Sequence, residues 1–267
     1  MKEYIVRGLS GAIYVAVVIV SMFISRELFL LLFCGLAMIT LSEFLKLIHL
    51  KSYLAYVLMA LAFYFFSYTI WDSNALLLLI ILSCFVNLFL LKDVLWTSKI
   101  PMFEKKKYVV VILYLISGFV FLTNIAFQNE EFTPEILMCT FILIWCNDTF
   151  AYLVGKNFGK HKLLERISPK KTVEGFLGGL AGAVLASFVI FKYTNIYDLK
   201  IWIGLAMIVA IFGTIGDLIQ SKFKRQAGVK DSGVIMPGHG GLFDRLDSII
   251  YASPFVYAFL EIVQYVS

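Results

Sequence analysis

The chain has 267 residues, of which 61% are hydrophobic and only 15% are charged, and its mean hydropathy is +0.88. A soluble domain carries about 45–50% apolar and about 25% charged residues, so this composition excludes an ordinary soluble protein. The net charge is +5, and no nucleic-acid partner is expected.

Apolar runs long enough to cross a bilayer recur along the chain. The hydrocarbon slab is ~30 Å thick, which requires about 20 apolar residues per helix. We therefore predict an all-α polytopic membrane protein with about nine transmembrane helices. In chain order, the predicted spans are Gly8–Ile24, Leu28–Ile48, Tyr53–Trp71, Asn74–Leu91, Tyr108–Phe127, Ile136–Gly155, Phe176–Tyr193, Ile201–Ile219 and Ile249–Val266.

The basic residues are distributed unevenly between these spans. If the N-terminus and every even-numbered connection lie on one side, the other side carries only Arg26, Lys192 and Lys200 of the 23 basic residues. Excess Lys and Arg mark the cytoplasmic face, so the N-terminus is predicted inside and the C-terminus outside. An eight-span arrangement would destroy this asymmetry.

The two halves of the chain differ in chemistry. Residues 1–135 are rich in Leu and Phe and poor in intramembrane polar groups, which indicates a transmembrane scaffold. Residues 136–267 carry more glycine and polar residues, which indicates a catalytic half within the same integral membrane domain. Long polar loops of this second half, Lys156–Thr172 and Ser221–Asp247, fall on the predicted cytoplasmic side.

The sixth predicted span contains polar residues. Asn147 and Asp148 stand inside its apolar run, where a carboxylate costs at least ~2.5 kcal/mol and usually faces a cavity, an ion or a partner. Tyr152 follows Asp148 by four residues and shares its helical face. A merely solvated loop after the span would not explain Asp148.

A basic loop follows this span and leads into the seventh. It includes Ser168, Lys170 and Lys171 and ends at Thr172, which is predicted to cap the next helix. Basic side chains beside a helix N-terminus form an anion site. The alternative is a solvated loop whose lysines only set the topology.

The eighth span ends in a polar stripe. Asp217 is followed at +4, +7 and +8 by Ser221, Lys224 and Arg225, which a continued helix would place on one face. A carboxylate near a hydroxyl and two cations suits a metal ion that bridges to a polyphosphate. The alternative is a helix-surface ion pair with snorkelling basic side chains.

A glycine-rich loop precedes the ninth span. Gly238, Gly240 and Gly241 flank His239, so the backbone can turn sharply and present N–H groups to a ligand. Lys230 and Asp231 stand a few residues before this turn.

Two carboxylates then open the ninth span. Asp244 and Asp247 are three residues apart on one helical face, with Arg245 between them. Oxygen-rich ligand sets without thiols suit a hard cation such as Mg²⁺, often completed by substrate phosphates.

Together these residues resemble a known signature. The stretch Ser221–Asp247 is similar to that of the phosphatidate cytidylyltransferase (CDP-diacylglycerol synthase) family: S-x-hydrophobic-K-R, four residues, K-D-x-small, then P-x-H-G-G and D-R-x-D. Met236 stands where the family usually has Leu, Ile or Phe. The upstream segment DTFAYLVGKNFGKHKL…SPKKT also resembles the family, with Phe150 in place of a common glycine. The resemblance covers Asn147 to Pro254, and the first half is similar only in being multi-span.

The resemblance implies a reaction and a set of partners. CTP and phosphatidate would give CDP-diacylglycerol and pyrophosphate, with Mg²⁺ required and room for a second cation. The protein would be an integral, homodimeric protein of a bacterial cytoplasmic membrane, in contact with the lipid bilayer, with its active site facing the cytoplasm.

The resemblance also implies roles for individual residues. Asp217 and Asp244 match the family's metal-binding carboxylates. Those two, with Lys224, Arg225 and Asp247, are the candidate catalytic residues. The candidate substrate-binding residues are Ser221, Lys230, Asp231, His239, Gly240, Gly241, Arg245, Asp148, Tyr152, Ser168, Lys170, Lys171 and Thr172.

Two alternatives compete with this hypothesis. A CTP-dependent polyprenol or phytol kinase would share the membrane setting and the nucleotide, but it would release CDP instead of pyrophosphate. A transporter would also explain intramembrane Asp148 and Asp217, but its polar residues should extend through several spans towards both faces. Here they gather towards one face of the second half.

Overall fold

The computed structural model describes residues 2–128, 131–236, 238 and 240–266, with residues 2–7 as backbone only. The helices of this described chain are α1 Lys2–Ile24, α2 Arg26–Leu47, α3 Tyr53–Phe63, α4 Ser73–Trp96, α5 Glu104–Val110, α6 Ser117–Asn124, α7 Pro134–Phe158, α8 Val173–Tyr193, α9 Leu199–Gln226 and α10 Phe243–Val266. A π-helical segment, Tyr64–Tyr68, continues α3, and another, Val111–Ile116, joins α5 to α6. The predicted all-α polytopic class is confirmed at this level.

Polar side chains set where several helices begin. Ser25, Ser52, Asp72 and Thr172 precede α2, α3, α4 and α8, and each side chain accepts a backbone N–H of the following first turn. Such caps satisfy N–H groups that have no partner inside the helix. The helices therefore start where the sequence changes from polar turn to apolar run.

Every predicted span coincides with a helical segment, but the segments differ in length. Among the described residues, seven helices are long and apolar enough to cross a membrane: Arg26–Leu47, Ser73–Trp96, Glu104–Asn124, Pro134–Phe158, Val173–Tyr193, Leu199–Gln226 and Phe243–Val266. The segments Gly8–Ile24 and Tyr53–Tyr68 are apolar but shorter. The count of nine crossings and their orientation stay predictions.

One hydrophobic core contains residues from both halves of the chain. At its centre, the ring of Phe44 on α2 contacts the rings of Tyr114, Phe223 and Phe243, with centroids 5.7, 5.2 and 5.5 Å away. Phe44 lies on α2, and the other three rings lie on the π-helical segment Val111–Ile116, on α9 and on α10. The first half is therefore packed directly against the helices that carry the signature residues.

Helices α7 and α8 approach closely at glycines. A Cβ atom at Gly179 would overlap Asn147, and one at Gly182 would overlap the ring of Phe150. Phe150 of α7, which stands where the family commonly has glycine, therefore packs against α8 at Gly182, where α8 has no side chain. This close approach brings the end of α7 next to the start of α8.

The basic segment between α7 and α8 was predicted as a long polar loop, and the structure adds two short strands within it. It folds as an antiparallel hairpin of β3 Lys162–Leu164 and β4 Ser168–Thr172. Another short hairpin, β1 Phe127–Gln128 with β2 Glu131–Phe132, joins α6 to α7. Short strands of this kind have no strong hydrophobic alternation, so their periodicity is hard to detect in a basic sequence.

The C-terminal end of α4 anchors two other parts of the fold. Arg166, in the turn of the β3–β4 hairpin, donates a hydrogen bond to the Val94 carbonyl at 3.1 Å. Lys222 on α9 is 4% exposed and donates to the carbonyls of Asp93 at 2.6 Å and Thr97 at 2.7 Å. The Asp93 carbonyl also accepts the Thr97 N–H, so these cations add donors at the C-terminal end of α4, where positive charge is favourable.

Candidate active site

A cavity of about 800 Å³ lies where α7 ends, α8 begins, α9 ends and α10 begins. The β3–β4 hairpin completes its wall. The predicted site residues that line it are Asp148, Tyr152, Lys170, Lys171, Thr172, Asp217, Lys224, Asp231, Asp244, Arg245 and Asp247. The fold thus gathers groups from four separate helix ends into one volume large enough for a nucleotide-sized ligand.

Asp217 occupies the wall formed by α9. Its Oδ2 forms an ion pair with the Lys171 ammonium from β4, and its Oδ1 accepts a 3.3 Å hydrogen bond from the Ser221 hydroxyl one turn later. The side chains of Lys171 and Asp217 are 28% and 31% exposed. This carboxylate therefore lies open to the cavity, and its cationic partner comes from a different element.

Asp244, in the first turn of α10, is much more enclosed, with its side chain 5% exposed. Its Oδ1 accepts hydrogen bonds from Lys224 Nζ at 2.6 Å and Gln220 Nε2 at 2.8 Å. Its Oδ2 accepts from the Ser232 backbone N–H at 2.8 Å, the Ser232 hydroxyl at 3.0 Å and the Gly241 N–H at 2.9 Å. Both oxygens are therefore fully engaged by donors from α9 and the glycine-rich loop.

Asp247 lies one turn beyond Asp244 and also lines the cavity. The residue is only 8% exposed, and its Oδ1 accepts the Ser248 backbone N–H at 2.8 Å. The absence of a side chain at Gly216 of α9 allows α10 to approach this closely, because a Cβ atom there would overlap the Asp247 carbonyl oxygen. The sequence prediction that Asp244 and Asp247 share one helical face agrees with this arrangement.

The opposite wall comes from α7. The Asn147 amide donates to Asp148 Oδ1 at 3.2 Å, and Tyr152 follows one turn later on the cavity side. The Lys156 ammonium lies 5.7 Å from the centroid of the Tyr152 ring, a cation–π distance. This wall is more exposed than the α9–α10 wall, since Asp148 and Tyr152 are both exposed residues.

The start of α8 joins this wall to the hairpin. Thr172, at the end of β4, accepts the Gly175 N–H at 3.1 Å and caps the helix, as predicted. Lys170 and Lys171 precede it on the strand, so two ammonium groups stand beside a helix N-terminus. Both features favour an anion at this end of the cavity.

The fit of a divalent cation can be judged from the donors. Asp148, Asp217, Asp244 and Asp247 supply oxygen atoms to one cavity, which is the ligand chemistry of Mg²⁺. In the described part of the chain, no three His, Cys, Asp or Glu side chains converge closely enough to hold a metal among them. The donor types therefore fit a cation that takes one or two carboxylates and completes its shell with substrate phosphate or water.

Some predicted residues do not line the cavity. Arg225 is exposed and donates to the Val229 carbonyl at 3.4 Å, and Lys230 is exposed as well. Ser168 pairs with Leu164 inside the hairpin. His239 lies outside the described residues.

The glycines of the loop act through the backbone. Gly240 has a φ of +92° and Gly238 a φ of +73°, values that favour glycine. The N–H and carbonyl of Gly240 pair with those of Met236 in an isolated bridge, and Gly241 donates to Asp244. These residues shape the loop behind Asp244 without lining the cavity themselves.

Sequence reasoning missed several residues of the site. Thr214, one turn before Asp217, lines the cavity, as do Lys156 and Lys162 of the basic segment. Gln220 is fully buried and donates to Asp244, and its place three residues after Asp217 was the available signal. Glu43 contacts the glycine-rich loop from the first half of the chain, and a carboxylate inside an apolar run could have identified it.

Comparison with known proteins gives consistent results. A model of the "Cytidylyltransferase family" matches residues 5–263. A phosphatidate cytidylyltransferase of Staphylococcus aureus (strain COL) is 41% identical over 145 residues, which are 54% of either chain. One of Staphylococcus haemolyticus (strain JCSC1435) is 47% identical over 120 residues, 44% of this chain and 46% of the relative. The matched region spans about half the length of these curated relatives. Because the family model covers nearly the whole chain, this protein belongs to the cytidylyltransferase family.

Proposed function

We propose that this protein transfers a cytidylyl group from CTP to phosphatidate, giving CDP-diacylglycerol and pyrophosphate. One observation carries the proposal: a single cavity at the ends of four membrane-type helices is lined by five carboxylates together with Lys170, Lys171 and Lys224. Relatives at 41% and 47% identity bear the name of this activity. A site at helix ends suits one substrate from water and another whose acyl chains stay in the bilayer.

The chemistry requires positioning more than a protein nucleophile. A phosphate oxygen of phosphatidate forms a bond to the α-phosphorus of CTP, while the bond from that phosphorus to the β-phosphate bridging oxygen breaks and pyrophosphate leaves. The attacking oxygen is already anionic near neutral pH, so no covalent enzyme intermediate is needed. Catalysis then depends on holding both phosphates in line and neutralising their charge.

The lysines of the cavity supply part of that neutralisation. Lys224 lies beside Asp244 on one wall, and Lys171 reaches Asp217 from the other. Each ammonium is held by a carboxylate and can pair with a phosphate oxygen without crossing the cavity. Arg225 and Lys230, outside the cavity wall, are proposed to meet the departing pyrophosphate at the entrance.

Asp217 and Asp244 are proposed to hold Mg²⁺, as the family resemblance implies, with room for a second cation. When bound, the cation would polarise phosphate oxygens and offset their negative charge. Asp217 is open to the cavity, whereas Asp244 would have to release Lys224 or Gln220 to offer an oxygen. The released Lys224 would then be available to a phosphate.

The proposal includes a topology and an assembly. Nine crossings with the N-terminus in the cytoplasm leave only three basic residues outside, which supports an active site facing the cytoplasm of a bacterial inner membrane. The homodimer rests on the resemblance alone.

Product analysis tests the reaction. Purified protein is incubated with CTP labelled in the base, phosphatidate and Mg²⁺, and both lipid-bound cytidine and pyrophosphate are measured. We expect the two products in equal amounts and no reaction when phosphatidate is omitted. Release of CDP with phosphorylation of a polyprenol or phytol would favour the kinase and contradict the proposal.

A further inference from the structure

Glu43 is a buried carboxylate in the half of the chain that was expected to be scaffold. It lies on α2, a helix apolar enough to cross a membrane, and is 2% exposed. Its Oε1 accepts the Leu242 backbone N–H at 3.1 Å, and its Oε2 accepts the Phe243 N–H at 2.9 Å and the Ser232 hydroxyl at 2.9 Å. Each of these three donors belongs to the segment that leads into α10.

The carboxylate caps α10 from a different helix. The first N–H groups of a helix have no partner inside it and usually bond to a Ser, Thr, Asp or Asn side chain just before the helix. Here Leu242 precedes α10, and its side chain has no acceptor. Glu43 accepts the N–H groups of Leu242 and Phe243 instead, and its negative charge is favourable at a helix N-terminus.

Ser232 connects Glu43 to Asp244. Its hydroxyl oxygen lies 2.9 Å from Glu43 Oε2 and 3.0 Å from Asp244 Oδ2. The backbone N–H of Ser232 also donates to Asp244 Oδ2, at 2.8 Å. The hydroxyl has one proton, so it donates to one of the two carboxylates at a time, while its oxygen lies within hydrogen-bond distance of both.

The glycines around Glu43 show how tightly the loop encloses it. A Cβ atom at Gly233 or Gly241 would overlap the Glu43 carboxylate. The loop can follow this path only where those two residues have no side chain. The segment before α10 is therefore fitted to this carboxylate, not merely adjacent to it.

We propose that Glu43 is a positioning residue of the active site. It fixes the start of α10 and the Ser232 hydroxyl, and through them it holds the Asp244 carboxylate at the cavity wall. The inference rests on the proposed function for its effect on catalysis. The positioning of the loop can be measured without any reaction.

The test uses four variants of the full-length protein: Glu43→Gln, Ser232→Ala, the double variant, and Glu27→Gln as control. Glu27 is an exposed glutamate on the same helix, so the control removes the same charge without touching the loop. Gln keeps the shape of Glu43 but places an N–H₂ group against one of the three donors. The measurements are kcat per folded molecule, KM for CTP, the melting temperature, and hydrogen exchange of the peptide covering residues 232–243.

We expect Glu43→Gln to lower kcat by about 10- to 100-fold, because a small displacement of a reacting group is costly even when its cause is remote. KM for CTP should change by less than about threefold, since the bonds of Glu43 are to the loop and not to the cavity. Hydrogen exchange of the 232–243 peptide should accelerate. In kcat and in loop exchange, the double variant should be close to the more strongly affected single variant, because both substitutions break the same Glu43–Ser232–Asp244 connection.

Three outcomes would overturn the inference. The first is that Glu43→Gln keeps the wild-type kcat and the wild-type exchange rate of the loop. The second is that the effects of the two single variants add fully in the double variant. The third is a lower melting temperature with unchanged kcat per folded molecule, which a purely structural role predicts. If Glu43→Gln does not fold, Ser232→Ala alone must still accelerate exchange of the loop and lower kcat. Failure of the wild type to consume CTP and phosphatidate contradicts the proposed function, while the exchange data still decide the role of Glu43.

Discussion

The two walls of the cavity are built differently. On the α9–α10 wall, Asp244 is 5% exposed and has five donors within hydrogen-bond distance, one of which it shares with Glu43, and Asp247 is also buried. On the wall formed by α7 and the β3–β4 hairpin, Asp148 and Tyr152 are exposed and Lys171 comes from a strand. We therefore expect the enclosed, hydrogen-bonded side to be pre-organised and the exposed side to be able to adjust to the proposed substrates.

The largest expected effects separate Asp244 from Asp217. Both Asp244→Asn and Asp217→Asn should lower kcat by at least about 1,000-fold, because each removes a charge proposed to hold the metal. Only Asp244→Asn should also destabilise the protein, by about 1–3 kcal/mol, because it places an amide N–H₂ group against buried donors. Activity assays combined with thermal unfolding in detergent measure both quantities.

This comparison can fail in two ways. Near-normal turnover in either purified variant would contradict the metal assignment. Equal loss of stability in both variants would show that the enclosed Asp244 carboxylate and the more open Asp217 carboxylate, both on the α9–α10 wall, do not differ in their contribution to stability.

A smaller effect should distinguish the two lysines. Lys224→Met and Lys171→Met should each lower kcat/KM by about 10- to 100-fold, because each removes a cation from the proposed phosphate site. Lys224, only 12% exposed in its side chain, leaves a buried Asp244 oxygen short of one donor when it is removed. Lys224→Met should therefore also lower the melting temperature, whereas Lys171→Met should not. The exposed Lys105→Met serves as the matched control, and the contrast fails if both site variants melt at the same temperature.

The smallest effect is expected at the hairpin turn. Arg166→Gln removes the hydrogen bond to the Val94 carbonyl and should loosen the adaptable wall. We expect KM for one or both substrates to rise by about two- to tenfold with little change in kcat. The substitution should weaken binding of the substrate and of the transition state equally, and it leaves the α9–α10 wall untouched. Steady-state kinetics with each substrate varied in turn measure this. A dominant fall in kcat would mean that the hairpin takes part in the chemical step.

The sequence predicted the helices and most of the cavity because both depend on local signals. Apolar runs marked every helical segment, and carboxylates inside or beside those runs marked Asp148, Asp217 and Asp244. The hairpin was missed because its strands are short, basic and without alternation. Gln220 and Glu43 were missed because their importance lies in contacts with distant segments: Glu43 meets residues 189 to 200 positions away. Composition and spacing can mark a polar residue within or beside an apolar run, but they do not show which distant segment it contacts.

The role of the first half also changes in the folded protein. Residues 1–135 look like lipid-facing scaffold when considered alone, but Phe44 packs against Phe223 and Phe243, next to Glu43. A helix that contributes a buried acid and a central aromatic ring to the start of α10 is part of the support of the site. The division at residue 135 describes sequence character only.

The end of α4 has a consequence for how the cavity keeps its width. Arg166 from the β3–β4 hairpin and Lys222 from α9 donate to carbonyls within the short stretch from Asp93 to Thr97. The hairpin wall and the α9 wall of the cavity are therefore both attached to the C-terminal end of α4. A tilt of α4, such as a thicker or thinner bilayer would impose, displaces both attachments together and leaves the gap between them nearly constant. We therefore expect the spacing of the cavity groups that are proposed to meet the two phosphates to change little with the thickness of the surrounding lipid.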